Sequence, residues 1–224
     1  TGALILISRA ANSTVTPADD ISFPCAMSAD GEWVLFRSNA ADLLVEFSDT
    51  NSWYADVFLY RRSTGEVSLV SRSSSNAIAT ANSGSTPTAI SADGEWVLFQ
   101  SYATDLISGL IDTEGWYEDV FLYQQSTGLV KLVSRSASSV ATTANAGSIP
   151  TAISADGEWV LFRSSATDLM AGAVDNNEMA DVYAYQRSTG VLSLVSGADT
   201  SRAITANETS DPAAISADGE WLIF

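Results

Sequence analysis

The sequence predicts an all-β protein: a β-propeller of four-stranded antiparallel blades. Three observations carry that reading. The hexapeptide Ser-Ala-Asp-Gly-Glu-Trp occurs four times, starting at Ser28, Ser91, Ser154 and Ser216, a period of about 63 residues. Each copy opens an apolar run, at 33–36, 96–99, 159–162 and 221–224. Between copies a second pattern recurs, Asp-Val-Phe-Leu-Tyr or a close variant followed by Ser-Thr-Gly and another apolar stretch. Units of this size cannot bury both faces of a sheet alone, so they gain stability by leaning on their neighbours.

Taking the second unit as template, strand one is expected at 88–91, opened by Pro87, which recurs as Pro24, Pro150 and Pro212. Proline suits the first residue of a strand, where no ladder donor is needed. Asp93-Gly94 then lies between two strand-like runs, the signal for a tight hairpin whose turn needs positive φ. Strand two, 96–101, is apolar on both faces, as expected of a strand sandwiched between sheets. A variable loop, 102–118, leads to strand three at 119–123, matched by 56–60 and 181–185. The Ser-Thr-Gly turn at 126–128 introduces strand four, 129–134, whose partial alternation suits an outer strand with one wetter face. A Ser/Ala/Thr/Asn-rich connector, 135–149, carries the chain onward. A β-solenoid competes with this architecture, but its rungs are shorter and lack the four-strand hairpin pattern.

The expected units are 1–10 as the last strand of a preceding blade, blades at 11–73, 74–136 and 137–198, and 199–224 as two strands of a further blade. That sum falls one strand short of four complete blades. The expectation is therefore a portion of a larger propeller, or strands completed by a neighbouring copy.

The strings Ile-Ser-Ala-Asp-Gly-Glu-Trp-Val-Leu-Phe-x-Ser at 90–101, Asp-Val-Phe-Leu-Tyr at 119–123 and Ser-Thr-Gly-x-Val-x-Leu-Val-Ser at 126–134 resemble the WD-like repeats of TolB-type β-propellers. The resemblance covers essentially the whole chain. It departs in Ala92, where such repeats often carry proline, and in its longer loops. It implies a secreted or envelope bacterial propeller, serving protein interaction or appended to an enzyme. The shared residues are structural, so it assigns no catalytic or ligand residue.

Composition narrows the function classes. The net charge is −17, from 27 acidic and 10 basic residues, which disfavours nucleic acid and anionic membranes as partners. No stretch is long and apolar enough to span a bilayer. There is no histidine, which excludes Ser-His-Asp and Cys-His catalytic sets and His-based zinc sites. Cys25 is the only cysteine, so no intrachain disulfide forms. It stands where other units have Thr88, Thr151 and Ala213, and reads as a small strand residue.

Candidate ligands cluster in the loop before strand three: Asp49, Asn51 and Asp56; Asp112, Glu114 and Asp119; Asp175, Asn177 and Asp181, with Asn176, Glu118 and Glu178 nearby. Alternating oxygen donors followed by a carboxylate suit calcium, which takes six to eight oxygens. Asp42, Asp105 and Asp168 open the same loop. The glycine and bidentate glutamate of an EF-hand are absent. The alternative is that these side chains bond their own backbone and shape turns. Trp53-Tyr54 and Trp116-Tyr117 sit in the same loops, as a contact patch for a partner or glycan, or folded back on the sheet edge. The third unit has Met179 there. Glu32, Glu95, Glu158 and Glu220 form an acidic column, weighed as a carboxylate pair for glycan cleavage, but repetition in every unit points to blade geometry. Arg9, Arg72 and Arg135 are expected to pair with the acidic columns. Asn12-Ser13-Thr14 and Asn207-Glu208-Thr209 are glycosylation sequons.

The expected function is a non-catalytic extracellular or cell-envelope scaffold or protein-interaction module. It would be stiffened by calcium and self-associate through open blade edges into a surface fibre. The rival expectation is the propeller domain of a secreted hydrolase or glycan-acting enzyme.

Overall fold

A computed structural model describes residues 2, 4–175, 177–198 and 201–224, the side chains at 201 and 202 excepted. The described residues contain strands and turns, and no helix long and apolar enough to cross a membrane. Blade one is the meander β1 (Ser22–Met27), β2 (Trp33–Ser38), β3 (Asp56–Arg61) and β4 (Glu66–Leu69). A ribbon of β5 (Arg72–Ser73) and β6 (Asn76–Thr80) follows. Blade two is β7 (Ser85–Ile90), β8 (Trp96–Ser101), β9 (Asp119–Gln124) and β10 (Leu129–Leu132). Blade three is β11 (Ser148–Ile153), β12 (Trp159–Ser164), β13 (Asp181–Gln186) and β14 (Val191–Leu194). A second ribbon, β15 (Gly197–Ala198) with β16 (Ser201–Thr205), precedes the hairpin of β17 (Ala214–Ile215) and β18 (Leu222–Ile223).

The apolar runs are the middle strands, paired on both sides and covered on both faces. Leu98 looks toward blade three, in a core with Val120, Val160 and Phe162; Phe99 looks toward blade one, in a core with Leu35, Val57 and Phe121. Leu35, Leu98 and Leu161 are fully buried, each stabilising the fold by about 1.5–3 kcal/mol. Within each blade one aromatic pair crosses from strand two to strand three. Phe36–Phe58, Phe99–Phe121 and Phe162–Tyr183 stack at 5.6, 5.6 and 5.7 Å.

The blades are joined by a recurring lock. The tryptophan that opens strand two lies on the turn glycine of the next blade. A methyl group built on Gly94, Gly157 or Gly219 would fall 2.1, 2.3 or 2.1 Å from Cδ1 of Trp33, Trp96 or Trp159. The same turns are tied by backbone bonds, in which Ala29, Ala92 and Ala155 donate N–H to the carbonyls of Ala92, Ala155 and Ala217 at 2.9, 2.8 and 3.0 Å. At the outer side Arg72 and Arg135 reach across to the carbonyls of Gly128 and Gly190 at 2.7 and 2.8 Å, and Arg9 bonds Gly65 at 3.0 Å. These arginines serve carbonyl oxygens, not the acidic columns as expected.

Several local expectations shift. Strand one begins before the proline, at Ser22, Ser85 and Ser148, and Pro24, Pro87 and Pro150 sit inside it beside a change of register. On a sheet edge the missing N–H costs no ladder bond, and the bulge absorbs the kink. In the Asp-Gly turn only the glycine takes positive φ, 66° at Gly31 and 77° at Gly94. The aspartate instead works through its side chain: Asp93 Oδ1 accepts from Ser91 Oγ and the Glu95 N–H at 2.6 and 3.0 Å. Strand four ends early, because the N–H groups of Val133 and Ser134 both turn to the Val120 carbonyl. Residues 4–9, expected as a last strand, form no strand; Arg9 makes an isolated bridge to Pro17. Ile7 nonetheless packs on the Phe36–Phe58 face, and Arg9 repeats the contact of Arg72.

Candidate functional site

The loop between strands two and three is built the same way in each blade. Its first aspartate caps the turn that follows. Asp49 Oδ1 accepts the N–H groups of Asn51 and Ser52 at 3.0 and 2.8 Å; Asp112 accepts those of Glu114 and Gly115; Asp175 accepts those of Asn177 and Glu178. Ser52, Gly115 and Glu178 take positive φ there, 44°, 55° and 54°. This is the Asx-turn chemistry that lets aspartate organise a loop through its own backbone.

Two of the three blades add a clamp. Asn51 donates its amide to the carbonyls of Ala81 and Ser83 at 2.9 and 3.3 Å, and approaches the Asp56 carboxyl at 3.4 and 3.5 Å. Asn177 repeats this with Ala206 and Glu208 at 2.8 and 3.3 Å. The loop is thereby fastened to the connector leading to the next blade. Glu114, at the same place in blade two, has no donor to offer and lies exposed. Parallel bridges, Ser48 to Ala79, Ile111 to Thr142 and Val174 to Ile204, hold loop and connector together in all three. Asn51 Oδ1 is buried and finds no partner among the described residues.

The carboxylate opening strand three is buried: Asp56, Asp119 and Asp181 are 3%, 7% and 1% exposed. Each accepts from a serine, Ser71, Ser134 or Ser196, at 2.9 Å, and that serine accepts the next N–H of strand three. Burial pushes the Asp56 pKa up to about 8, with Asp49 nearby adding to the rise; Asp119 reaches about 7 beside Asp112; Asp181 is raised for the same reasons. So each loop holds one exposed-side and one buried carboxyl that repel when both are ionised. Among the described residues no group of three acidic, cysteine or histidine ligands converges. Asn176 lies outside the described residues. The outer acids, Asp42, Asp105 and Asp168, accept the N–H groups of Asp19, Asn82 and Asn145 at 3.0, 2.9 and 2.9 Å.

The glutamate column ties two turns of one blade together. Glu32 holds Ser63 and the Nε of Arg61 at 3.1 Å; Glu95 holds Ser126 and the Gln124 amide at 2.9 Å; Glu158 holds Ser188 and Arg187 at 3.0 Å. These carboxylates are engaged within their blade.

The loop aromatics divide by type. Tyr54 and Tyr117 lean one side of the ring onto glycines of the following connector, Gly84 and Gly147, where an added methyl would lie 3.3 Å from each ring, and remain about half exposed. Trp53 and Trp116 stay out, both 88% exposed. At the second position the rim forms a cleft of about 410 Å³, lined by Tyr102, Trp116, Tyr117, Glu118 and Arg163. Glu118 accepts from the Gln100 amide at 2.8 Å. The connector glycines that seat the tyrosines escaped the sequence reading, which had only turn composition to go on. Their place, exactly one blade apart, was the available signal.

No family model matches the sequence, and no curated protein matches it. Solved structures do. TolB from Acinetobacter baumannii aligns with a TM-score of 0.47 and 18% identity over 93% of this chain and 38% of its own. A putative TolB from Agrobacterium tumefaciens aligns at 0.42 and 16%, over 77% and 48%. Oligogalacturonate lyase from Vibrio parahaemolyticus aligns at 0.43 and 11%, over 83% and 44%. The chain spans less than half the length of each. The meandering sheets packed face to face make the protein an all-β, propeller-type repeat fold, similar to that of TolB.

Proposed function

We propose that this chain is a non-catalytic β-propeller scaffold or protein-interaction module, working extracellularly or in the cell envelope. The observation that carries the reading is the pair of rim tryptophans. Trp53 and Trp116 occupy equivalent loops on consecutive blades, each 88% exposed, on a loop fastened from below. Large aromatic rings held in water on a rigid support are the usual anchors of an interface. The recurring carboxylates are meanwhile taken up in turns, and the sequence holds no histidine.

The test compares the chain with a Trp53→Ala/Trp116→Ala variant, whose melting midpoint is expected to stay within about 2 °C because the rings are exposed. Both are presented to an envelope protein fraction and to a glycan array. Loss of a specific captured protein in the variant supports the reading. Glycan binding lost in the variant, or capture unchanged, contradicts it. Turnover of a peptide or polysaccharide substrate by the chain would favour the enzyme alternative.

Calcium has a structural place in the same proposal. What supports it is the buried Asp56 beside Asp49, with the Asn51 amide held between the Asp56 carboxyl and the carbonyls of Ala81 and Ser83, and Asn51 Oδ1 without a partner among the described residues. A divalent cation there would relieve the repulsion and tie loop to connector.

A further inference from the structure

The three blades repeat one another closely, yet on the rim blade two departs from the other two, and its departures meet in a single cleft. Ser38, Ser101 and Ser164 pair with Asp56, Asp119 and Asp181, so the residues just beyond each pair stand side by side. In blade one these are Asn39 and Ala55, in blade three Ser165 and Ala180, and in blade two Tyr102 and Glu118. With Trp116 and Tyr117 the latter two line the cleft of about 410 Å³ at the seam with blade three. Its three rings, Tyr102, Trp116 and Tyr117, are 43%, 88% and 53% exposed. The other blades form the same sheet without the added ring and carboxylate, so the fold does not require them.

Glu118 has no cation of its own. Its neighbour on strand two is Gln100, where blade one has Arg37 and blade three Arg163, and Gln100 offers only a neutral amide. Among the described residues Glu118 takes part in no ion pair. Arg163 lines the cleft from blade three, but it is engaged with Asp211. The main chain at Glu118 is fixed, its carbonyl accepting the Ser148 N–H at 2.9 Å. Aromatic faces attract cations through their quadrupole, and a carboxylate among them adds a full opposite charge. A guanidinium answers both features, because it stacks on aromatic planes and meets a carboxylate through a planar fork of donors. The net charge of −17 draws such a partner in.

We infer that this cleft takes an arginine side chain from a basic segment of the partner, with the guanidinium among Tyr102, Trp116 and Tyr117 and its donors on Glu118. The inference rests on the rim reading, since Trp116 is one of the two anchors, and it adds the chemistry of the partner. The equivalent place beside Trp53 carries Ala55 and no carboxylate, so the arginine enters at blade two.

Isothermal titration calorimetry with short peptides tests it. The probes are acetyl-Gly-Ser-Arg-Ser-Gly-amide, its lysine analogue, and its citrulline analogue, in which an uncharged urea replaces the guanidinium. The arginine peptide should bind with a Kd of about 10 μM to 1 mM. The lysine peptide should bind about threefold more weakly, and the citrulline peptide at least about tenfold more weakly. Glu118→Gln and Trp116→Ala should each weaken arginine binding about tenfold. Glu66→Gln removes the same charge from an exposed position on blade one and should stay within about twofold of the native chain. No arginine binding up to about 10 mM, citrulline or lysine bound as tightly as arginine, or equal losses in Glu118→Gln and Glu66→Gln would each overturn the inference. In those cases the rim proposal still stands if Trp53→Ala/Trp116→Ala loses its captured protein. Arginine binding with capture unchanged would instead sink the rim proposal while the cleft keeps its ligand.

Discussion

Asp56 shows how one buried side chain sets a pH response for the molecule. Its pKa of about 8 lies well above the value near 4 of an exposed aspartate. Between those limits the folded state holds a proton that the unfolded chain has released, so stability is greatest at low pH and falls as pH rises toward 8. Asp119 and Asp181 act in the same sense. Asp56→Asn keeps an acceptor for Ser71 and removes the titration. Its chemical-denaturation stability should fall less steeply between pH 4 and 8, with Asp119 and Asp181 still contributing, and exceed the native value at pH 8 by about 1–3 kcal/mol. A native profile that rises over that range would show the carboxylates to be paired. Calcium enters through the same residue. If a cation bridges Asp49 and Asp56, millimolar calcium raises the native melting midpoint at pH 8 and leaves Asp56→Asn unmoved; equal responses would remove the metal from the proposal. The sequence displayed these aspartates but not their use. Whether Asp49 faces a cation or its own backbone depends on the positive φ at Ser52, which serine does not announce and which only Gly115, at the same position of blade two, hints at.

At the scale of the element, the hexapeptide hairpin is the unit that meets its neighbour. Gly94→Ala would place a methyl 2.1 Å from the Trp33 ring at φ 77°, combining backbone strain with overpacking, a loss of about 2–4 kcal/mol. Gly31→Ala meets only the strain, about 1–2 kcal/mol. Urea denaturation of the two variants separates these contributions, and equal losses would argue that no ring lies on Gly94. The strands themselves were legible because runs such as Trp96 to Phe99 are apolar on every residue, which only a doubly covered strand tolerates. Their starts were misplaced because proline reads as a boundary, while an edge strand can carry it inside. The ribbons β5–β6 and β15–β16 left no trace in the sequence. Apart from Ile78 and Ile204 their residues are small or polar, with no apolar periodicity.

For the whole molecule, the period in the sequence announced repeating sheets, yet not which residue of one repeat touches which of the next. Tryptophan and glycine stand two positions apart in the same hexapeptide and read as partners in one turn. In the fold they belong to opposite sides of a seam, a relation that only sheet packing creates. The rim tryptophans were similarly visible as residues, while their exposure, beside tyrosines that lean in part on Gly84 and Gly147, is a property of the folded loop alone. The account rests on stability passing from blade to blade through these seams. Its most direct test is thermal and urea unfolding of Trp96→Ala beside Trp221→Ala, at a concentration where the chain is monomeric. Loss of about 3–5 kcal/mol for Trp96→Ala and under about 0.5 kcal/mol for Trp221→Ala is expected. Equal losses at the two positions would contradict it.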